Sequence, residues 1–356
     1  MNKKSELPLV SVVIPVGGTR VNDKEKLLNC VRSICKQTYP NLEIILVIDP
    51  LNSVVRSIPF PCPVTFVEYH RPVNGVGRDE KERYLWGWGH ATGQIFALTG
   101  VSLTWETNVV ETALEIMQKE HVEAVDGITK RQKGDNRFLA LFQDDAIISE
   151  FPPYKSDFLL SRTSFSKDLR LPSMTSFFMT KGLYKRIRKS IPRGLDNGWG
   201  DFNVARAIIN SGEGIFCTNR LIAYRSHKLS LRLGKQFASG LCSARFYLDF
   251  PENAYSKKRL RLTLLVAELM ILFSLAAIIS VTVSPLLGII GTLMSVLLVF
   301  ALAGAYNVHK AKYLTASLFP PLTAVQIAFC TLGYLYECIL SGNPDTEFLD
   351  FLHHTR

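Results

Sequence analysis

An α/β domain built on a largely parallel sheet, continuing into a C-terminal segment of membrane-spanning helices, is the fold class this sequence predicts. Three observations carry the expectation. Short β-rich apolar runs alternate with stretches of helical periodicity from Leu9 to Thr99, the pattern of strands buried on both faces and joined by crossover helices. The runs stop at turn-forming residues such as Pro15, Asp49 and Gly100, which punctuate the chain at the strand ends. From Leu262 to Leu340 charged residues almost vanish and long apolar runs take over, a composition typical of membrane segments.

The elements follow in order. Leu9 to Val16, LVSVVIPV, reads as a buried strand closed by Pro15 and the Gly17-Gly18 pair. Between Lys24 and Gln37 the residues Leu27, Leu28, Val31, Ile34 and Cys35 recur at helical spacing, and Tyr39-Pro40 ends that helix. Leu42 to Ile48 is a second strand, which delivers Asp49 at its end. Val64 to Tyr69 is a third strand, followed by a glycine-containing loop and a helical stretch to His90, and Ile95 to Thr99 is a fourth. Asn108 to His121 reads as an amphipathic helix and Ala124 to Thr129 as a strand. Lys130 to Arg170 reads as polar, irregular loops, Ser176 to Thr180 as a further strand and Asp201 to Asn210 as a helix. Alternation of this kind places ligands at the carboxyl ends of the strands.

The formal net charge is +10, yet the basic residues are dispersed or gather beside the apolar segment, and no groove-reading motif accompanies them. Nucleic acid is therefore excluded as a partner; anionic nucleotides and membrane lipid phosphates account for the charge. The seven cysteines, Cys30, Cys35, Cys62, Cys217, Cys242, Cys330 and Cys338, show no Cys-x-x-Cys spacing. Their odd number reads as free thiols in a reducing compartment. The opening MNKKSELP lacks the apolar core of a signal peptide, which predicts a cytoplasmic first domain. Three apolar segments, Leu262 to Val283, Leu286 to Tyr306 and about Leu314 to Leu340, approach the ~20 residues a bilayer core requires. Pro320-Pro321 interrupts the third, so two or three spans are expected. Lys257, Lys258, Arg259 and Arg261 precede the first, and His309, Lys310 and Lys312 follow the second. The positive-inside rule puts both flanks in the cytoplasm and the chain in the inner membrane as a multi-pass protein. The expected organisation is a catalytic domain over 1–230, a basic interfacial stretch over 231–260, transmembrane helices over 261–341 and a tail over 342–356.

Three stretches carry a resemblance: SVVIPV at Ser11 to Val16, LLNCVRSICKQTYPNLEIILVID from Leu27 to Asp49, and GWGDFNVARAIINSG from Gly198 to Gly212. Together they resemble the signatures of family 2 glycosyltransferases over roughly residues 8 to 230. The resemblance implies the GT-A fold, a Rossmann-like domain that binds a nucleotide sugar, with a UDP-sugar favoured as donor. It also implies roles for single residues. Pro15 and Gly17 lie where the family's first strand meets the nucleotide, and small residues let a backbone approach a ligand closely. Asp49 corresponds to the aspartate that accepts a hydrogen bond from the base or ribose, Arg78 in the Asn74 to Arg78 loop is a phosphate-neutralising candidate, and Ser102 lies beside the donor. Asp201 corresponds to the general base of inverting members, which takes the acceptor hydroxyl's proton as its oxygen attacks the anomeric carbon. It also opens a helix, where an aspartate serves as a cap. His227 and Arg225 are candidates for contact with the diphosphate or a metal.

The sequence departs from the family at two points. Gly100, Val101 and Ser102 stand where the family carries Asp-x-Asp, the pair that holds Mg²⁺ or Mn²⁺, and Gly200 replaces the first member of the Glu-Asp pair. Three explanations compete at this point: a cation held by other groups, a diphosphate stabilised by Arg or Lys, or a domain without catalysis. The leading expectation is transfer of one sugar to a lipid-linked or cell-envelope glycan acceptor, with inversion. The alternative is an inactive GT-A subunit serving as a scaffold in a glycan-assembly complex. A homo-oligomer is compatible with either. A transporter is disfavoured, because the apolar segments carry few polar groups beyond Glu268 and Glu337.

Overall fold

The computed structural model describes residues 7–17, 23–50, 53–70, 80–131, 156–165, 172, 174–191 and 200–225, with a few isolated positions thereafter. All the elements below belong to one compact unit, Met1–Lys133 with Phe151–Ser226; the remaining residues form a second unit. The expected strands and helices of the first half are present: β1 Val10–Pro15, α1 Asp23–Cys35, β2 Leu42–Ile48, β3 Thr65–Glu68, α3 Glu80–His90 and β4 Ile95–Leu98. A one-turn helix, α2 Ser53–Arg56, is added between β2 and β3. Then come β5 Leu103–Trp105, α4 Val109–Lys119, β6 Ala124–Arg131, β7 Phe158–Leu160, α5 Arg162–Phe165, β8 Phe177–Thr180, α6 Lys181–Ile187, α7 Gly200–Asn210 and β9 Ile215–Arg225.

These strands form one nine-stranded sheet in the order β3-β2-β1-β4-β8-β6-β9-β5, with β7 beside β9. The first four are parallel, and β1 and β4 are buried along their full length. The expectation of a largely parallel sheet holds only for this half. Beyond β4 the sheet is mixed: β8 runs antiparallel to β4 and β6, and β9 is parallel to β6 but antiparallel to β5 and β7. The 130–170 stretch, read as irregular, contributes the end of β6, β7 and α5. Hydrogen bonding explains the difference: β7 and β5 take opposite ends of the same edge of β9, so even short strands gain ladder partners.

One face of the sheet packs on α1 and α4, through Val12 and Ile14 of β1, Leu27, Val31 and Ile34 of α1, and Val110, Ala113 and Ile116 of α4. The other carries an aromatic cluster in which Trp88 of α3 meets Tyr84, Phe177 and Tyr184. Here α3 approaches the sheet so closely that a Cβ on Gly87 would lie 2.5 Å from Val13 Cγ1 and 2.7 Å from Val47 Cγ2. Glycine is what permits that contact. Thr180 caps α6 by accepting the Leu183 N–H at 3.0 Å, and Gly212, at φ +92°, follows the end of α7 in the left-handed conformation that suits glycine there.

The cysteine reading requires correction. Cys35, at the end of α1, and Cys62, in the loop before β3, form a disulfide with a Cα–Cα separation of 6.1 Å. The fold brings together two residues that no local spacing connects. Cys30 and Cys217 are buried thiols outside any disulfide, and burial pushes the Cys30 thiol pKa up to about 12. The three apolar segments and the basic 231–260 stretch fall almost wholly outside the described residues. Among the described residues no helix is long and apolar enough to cross a membrane.

Alkylation of the native protein followed by mass spectrometry is expected to leave Cys30 and Cys217 unmodified, and to label Cys35 and Cys62 only after reduction. Loss of the crosslink by Cys62→Ser should lower stability by about 2–4 kcal/mol, read as a fall in melting temperature.

Candidate functional site

The site is organised at the carboxyl ends of the parallel strands, next to the β1–β4 neighbourhood where the strand order reverses. Pro15 closes β1 in register with Val47, and the Val16 N–H donates to the Val47 carbonyl at 2.8 Å. A Cβ at Gly17 would meet nothing within 4 Å, so packing within the protein does not require glycine there; the position is open. Asp49 follows β2 directly.

A residue that the sequence reading missed holds these ends together. Arg83 of α3 is 3% exposed. Its Nη2 donates to Asp49 Oδ1 at 2.7 Å and its Nη1 to the Val16 carbonyl at 3.2 Å, and its guanidinium lies 5.3 Å from the centre of the Tyr69 ring. One buried cation thus joins the chain segments leaving β1, β2 and β3. A buried guanidinium is tolerable only when paired and hydrogen-bonded, and Asp49 supplies the pairing. Asp49 is therefore more than a turn residue. Its side chain remains 34% exposed, and Oδ2 has no partner among the described residues, which leaves one carboxylate oxygen for a ligand. A signal for Arg83 does exist in the sequence: it falls on the same helical stripe as Tyr84, Gly87 and Trp88, the face α3 turns to the sheet.

The turn after β4 holds the second group of candidates. Thr99, Gly100, Val101 and Ser102 lead into β5, where Leu103 pairs with Arg225 at the end of β9. Arg225 Nε is buried, and Thr99 is 1% exposed; neither Arg225 Nε nor Thr99 Oγ1 has a hydrogen-bond partner among the described residues. Beneath the turn, the Cys30 thiol donates to the Gly100 carbonyl at 3.4 Å. Glu106, the first carboxylate along the chain after the turn, accepts the Tyr224 hydroxyl at 2.6 Å, a bond that raises the tyrosine's pKa. Among the described residues no group of three or more His, Cys, Asp or Glu side chains is placed to hold a metal ion. The donor set here does not fit a divalent cation.

Position 201 lies in the first turn of α7, so it is inside the helix rather than at the cap position before it. Arg78 and His227 lie outside the described residues. The structure thus groups Pro15, Gly17 and Asp49 around Arg83, and Ser102 with Arg225 around the β4–β5 turn.

No protein-family model and no curated protein matches the chain. Among solved structures, a mannosyltransferase from Pyrobaculum calidifontis, in complex with GDP-Man and Mn²⁺, is similar at TM-score 0.52 and 14% identity, over 94% of this chain and 88% of that one. TarS from S. aureus is similar at TM-score 0.45 and 13% identity, over 67% of this chain; the match spans 40% of that structure. Its 1–349 fragment in complex with UDP-GlcNAc gives TM-score 0.43 at 14% identity, over 95% of this chain and 93% of the fragment. The likeness to the mannosyltransferase establishes a shared mixed α/β fold.

Removing the Asp49 carboxylate strands the buried guanidinium. Asp49→Ala is expected to lower stability by about 2–3 kcal/mol, and Asp49→Asn, which keeps an acceptor, by less; thermal unfolding of the two variants beside the parent checks the order.

Proposed function

We propose that this chain is a family 2 glycosyltransferase that transfers a sugar, with inversion, from a nucleotide-sugar donor to a lipid-linked or cell-envelope glycan acceptor. The observation that carries the reading is Asp49, held on one oxygen by Arg83 and open on the other, at the carboxyl edge of a sheet whose fold is shared with a mannosyltransferase. A carboxylate fixed in this way is preorganised to accept a hydrogen bond from a nucleobase or ribose without rearrangement. The signature resemblance favours a UDP-sugar.

In the proposed reaction Asp201 accepts the proton of the acceptor hydroxyl. The acceptor oxygen forms a bond to the anomeric carbon as the bond to the diphosphate breaks, and the electron pair leaves with the nucleoside diphosphate. The Mg²⁺ or Mn²⁺ that Asp-x-Asp would hold has no fitting ligand set in the 99–102 turn. That same departure favours the second reading, an inactive scaffold subunit, which donor turnover would exclude.

Membrane attachment belongs to the proposal as well. Leu275 and Leu332 are helical and about half exposed, at 50% and 45%, within apolar segments of near-spanning length. The support for membrane attachment is the length and apolar composition of those segments. Cytoplasmic placement at the inner membrane rests on the basic flanks; the Cys35–Cys62 disulfide pulls the other way, because such bonds persist in oxidising compartments.

Release of nucleoside diphosphate from UDP-GlcNAc or GDP-Man, with membrane lipid extract as the acceptor source, tests the function. Asp201→Asn is expected to lower that turnover by roughly 10²–10⁴-fold while UDP binding stays within about twofold of the parent. Loss of binding in this variant would make position 201 structural, and absence of turnover in the parent would favour the scaffold.

A further inference from the structure

The β4–β5 turn lacks the acidic pair a cation needs, and the fold brings a fixed positive charge to the same place. Antiparallel pairing sets Arg225 opposite Leu103, the residue after Ser102, and Cα atoms opposed in this way lie roughly 4.5–5.5 Å apart. In the parallel ladder on its other side, Arg225 is in register with Arg131, the last residue of β6, so a second arginine position ends beside it. Arg225 Nε is buried without a partner among the described residues, and on the other side of the turn Thr99 Oγ1 is equally buried and equally without one. Burying such groups unpaired carries their full desolvation cost. Two of them, flanking one turn at the carboxyl edge of the sheet, mark a place that a ligand completes. Glu106 makes no ion pair with Arg225 among the described residues; its Oε1 accepts the Tyr224 hydroxyl.

We infer that the Thr99–Ser102 turn and Arg225 form a cation-independent subsite for the diphosphate of the donor, the guanidinium standing in place of the divalent ion. The inference rests on the donor-site reading above and deepens it. A guanidinium presents a planar fork of donors that matches phosphate oxygens and stays charged at every accessible pH. As the anomeric C–O bond breaks, the negative charge gathering on the leaving diphosphate is stabilised by Arg225, and the acceptor proton goes to Asp201.

Calorimetric titration of the full-length protein in detergent, with UDP, GDP and uridine, tests this. UDP or GDP is expected to bind in EDTA and to gain less than about twofold from Mn²⁺. Arg225→Ala should weaken nucleoside diphosphate binding by on the order of tenfold or more and leave uridine binding unchanged, with Arg225→Lys recovering part of the loss. Arg225→Gln, which keeps the size and removes the charge, supplies the same comparison where the alanine variant does not fold. Binding that appears only with Mn²⁺, or an Arg225→Gln protein that binds like the parent, overturns the subsite while leaving the glycosyltransferase reading standing. Failure of both nucleotides to bind in every condition overturns both.

Discussion

The ion pair between buried Arg83 and partly exposed Asp49 is the interaction on which the carboxyl ends of the parallel strands depend. A guanidinium 3% exposed cannot be left without compensation, so its acceptors, Asp49 Oδ1 and the Val16 carbonyl, must stand where α3 places the cation. That requirement fixes the chain leaving β1 against the chain leaving β2, and Tyr69 completes the enclosure from β3. The geometry is available because α3 lies directly on the sheet, which Gly87 makes possible one turn further on. A packing constraint on one helix therefore becomes the positional constraint on a candidate ligand-binding carboxylate.

On the other side of the sheet the organising element is β9. Its eleven residues pair with β6 along one edge and with β7 and β5 at opposite ends of the other. The ladder with β5 determines where Arg225 arrives, since a shift by one residue would turn its side chain to the opposite face. Core packing of Leu221 and Ala223 with Leu103 and Trp105 holds that register. The same strand carries Tyr224, whose hydroxyl donates to one oxygen of Glu106, the carboxylate next along the chain from the turn. The β5–β9 register therefore sets Arg225 beside a turn that carries no carboxylate of its own.

The parallel half was legible in the sequence because its strands are buried on both faces, and an apolar run such as VSVVIP or LEIILVI leaves little choice of element. The mixed half was not. β5 and β7 have three residues each, too few to show a period, and β9 mixes Thr218, Asn219 and Arg220 into a strand that looks polar in a local window. Of the candidate site, the place of Asp49 after a strand was visible and its expected role came from the family resemblance, whereas its partner was hidden in the charged run Glu80 to Arg83, where one buried arginine looks like its solvated neighbours. The Cys35–Cys62 pairing was invisible for a different reason: it depends on how α1 and the approach to β3 meet in space.

Hydrogen–deuterium exchange of the full-length protein with and without UDP tests most directly whether a nucleotide binds at the strand ends organised by Arg83, because slowed exchange reports which backbone amides a ligand stabilises. The expected result is protection confined to three places: the Val16–Gly17 segment, the amides around Asp49, and the Thr99–Ser102 turn with the end of β9. Protection elsewhere, with these segments exchanging as in the free protein, would contradict the account.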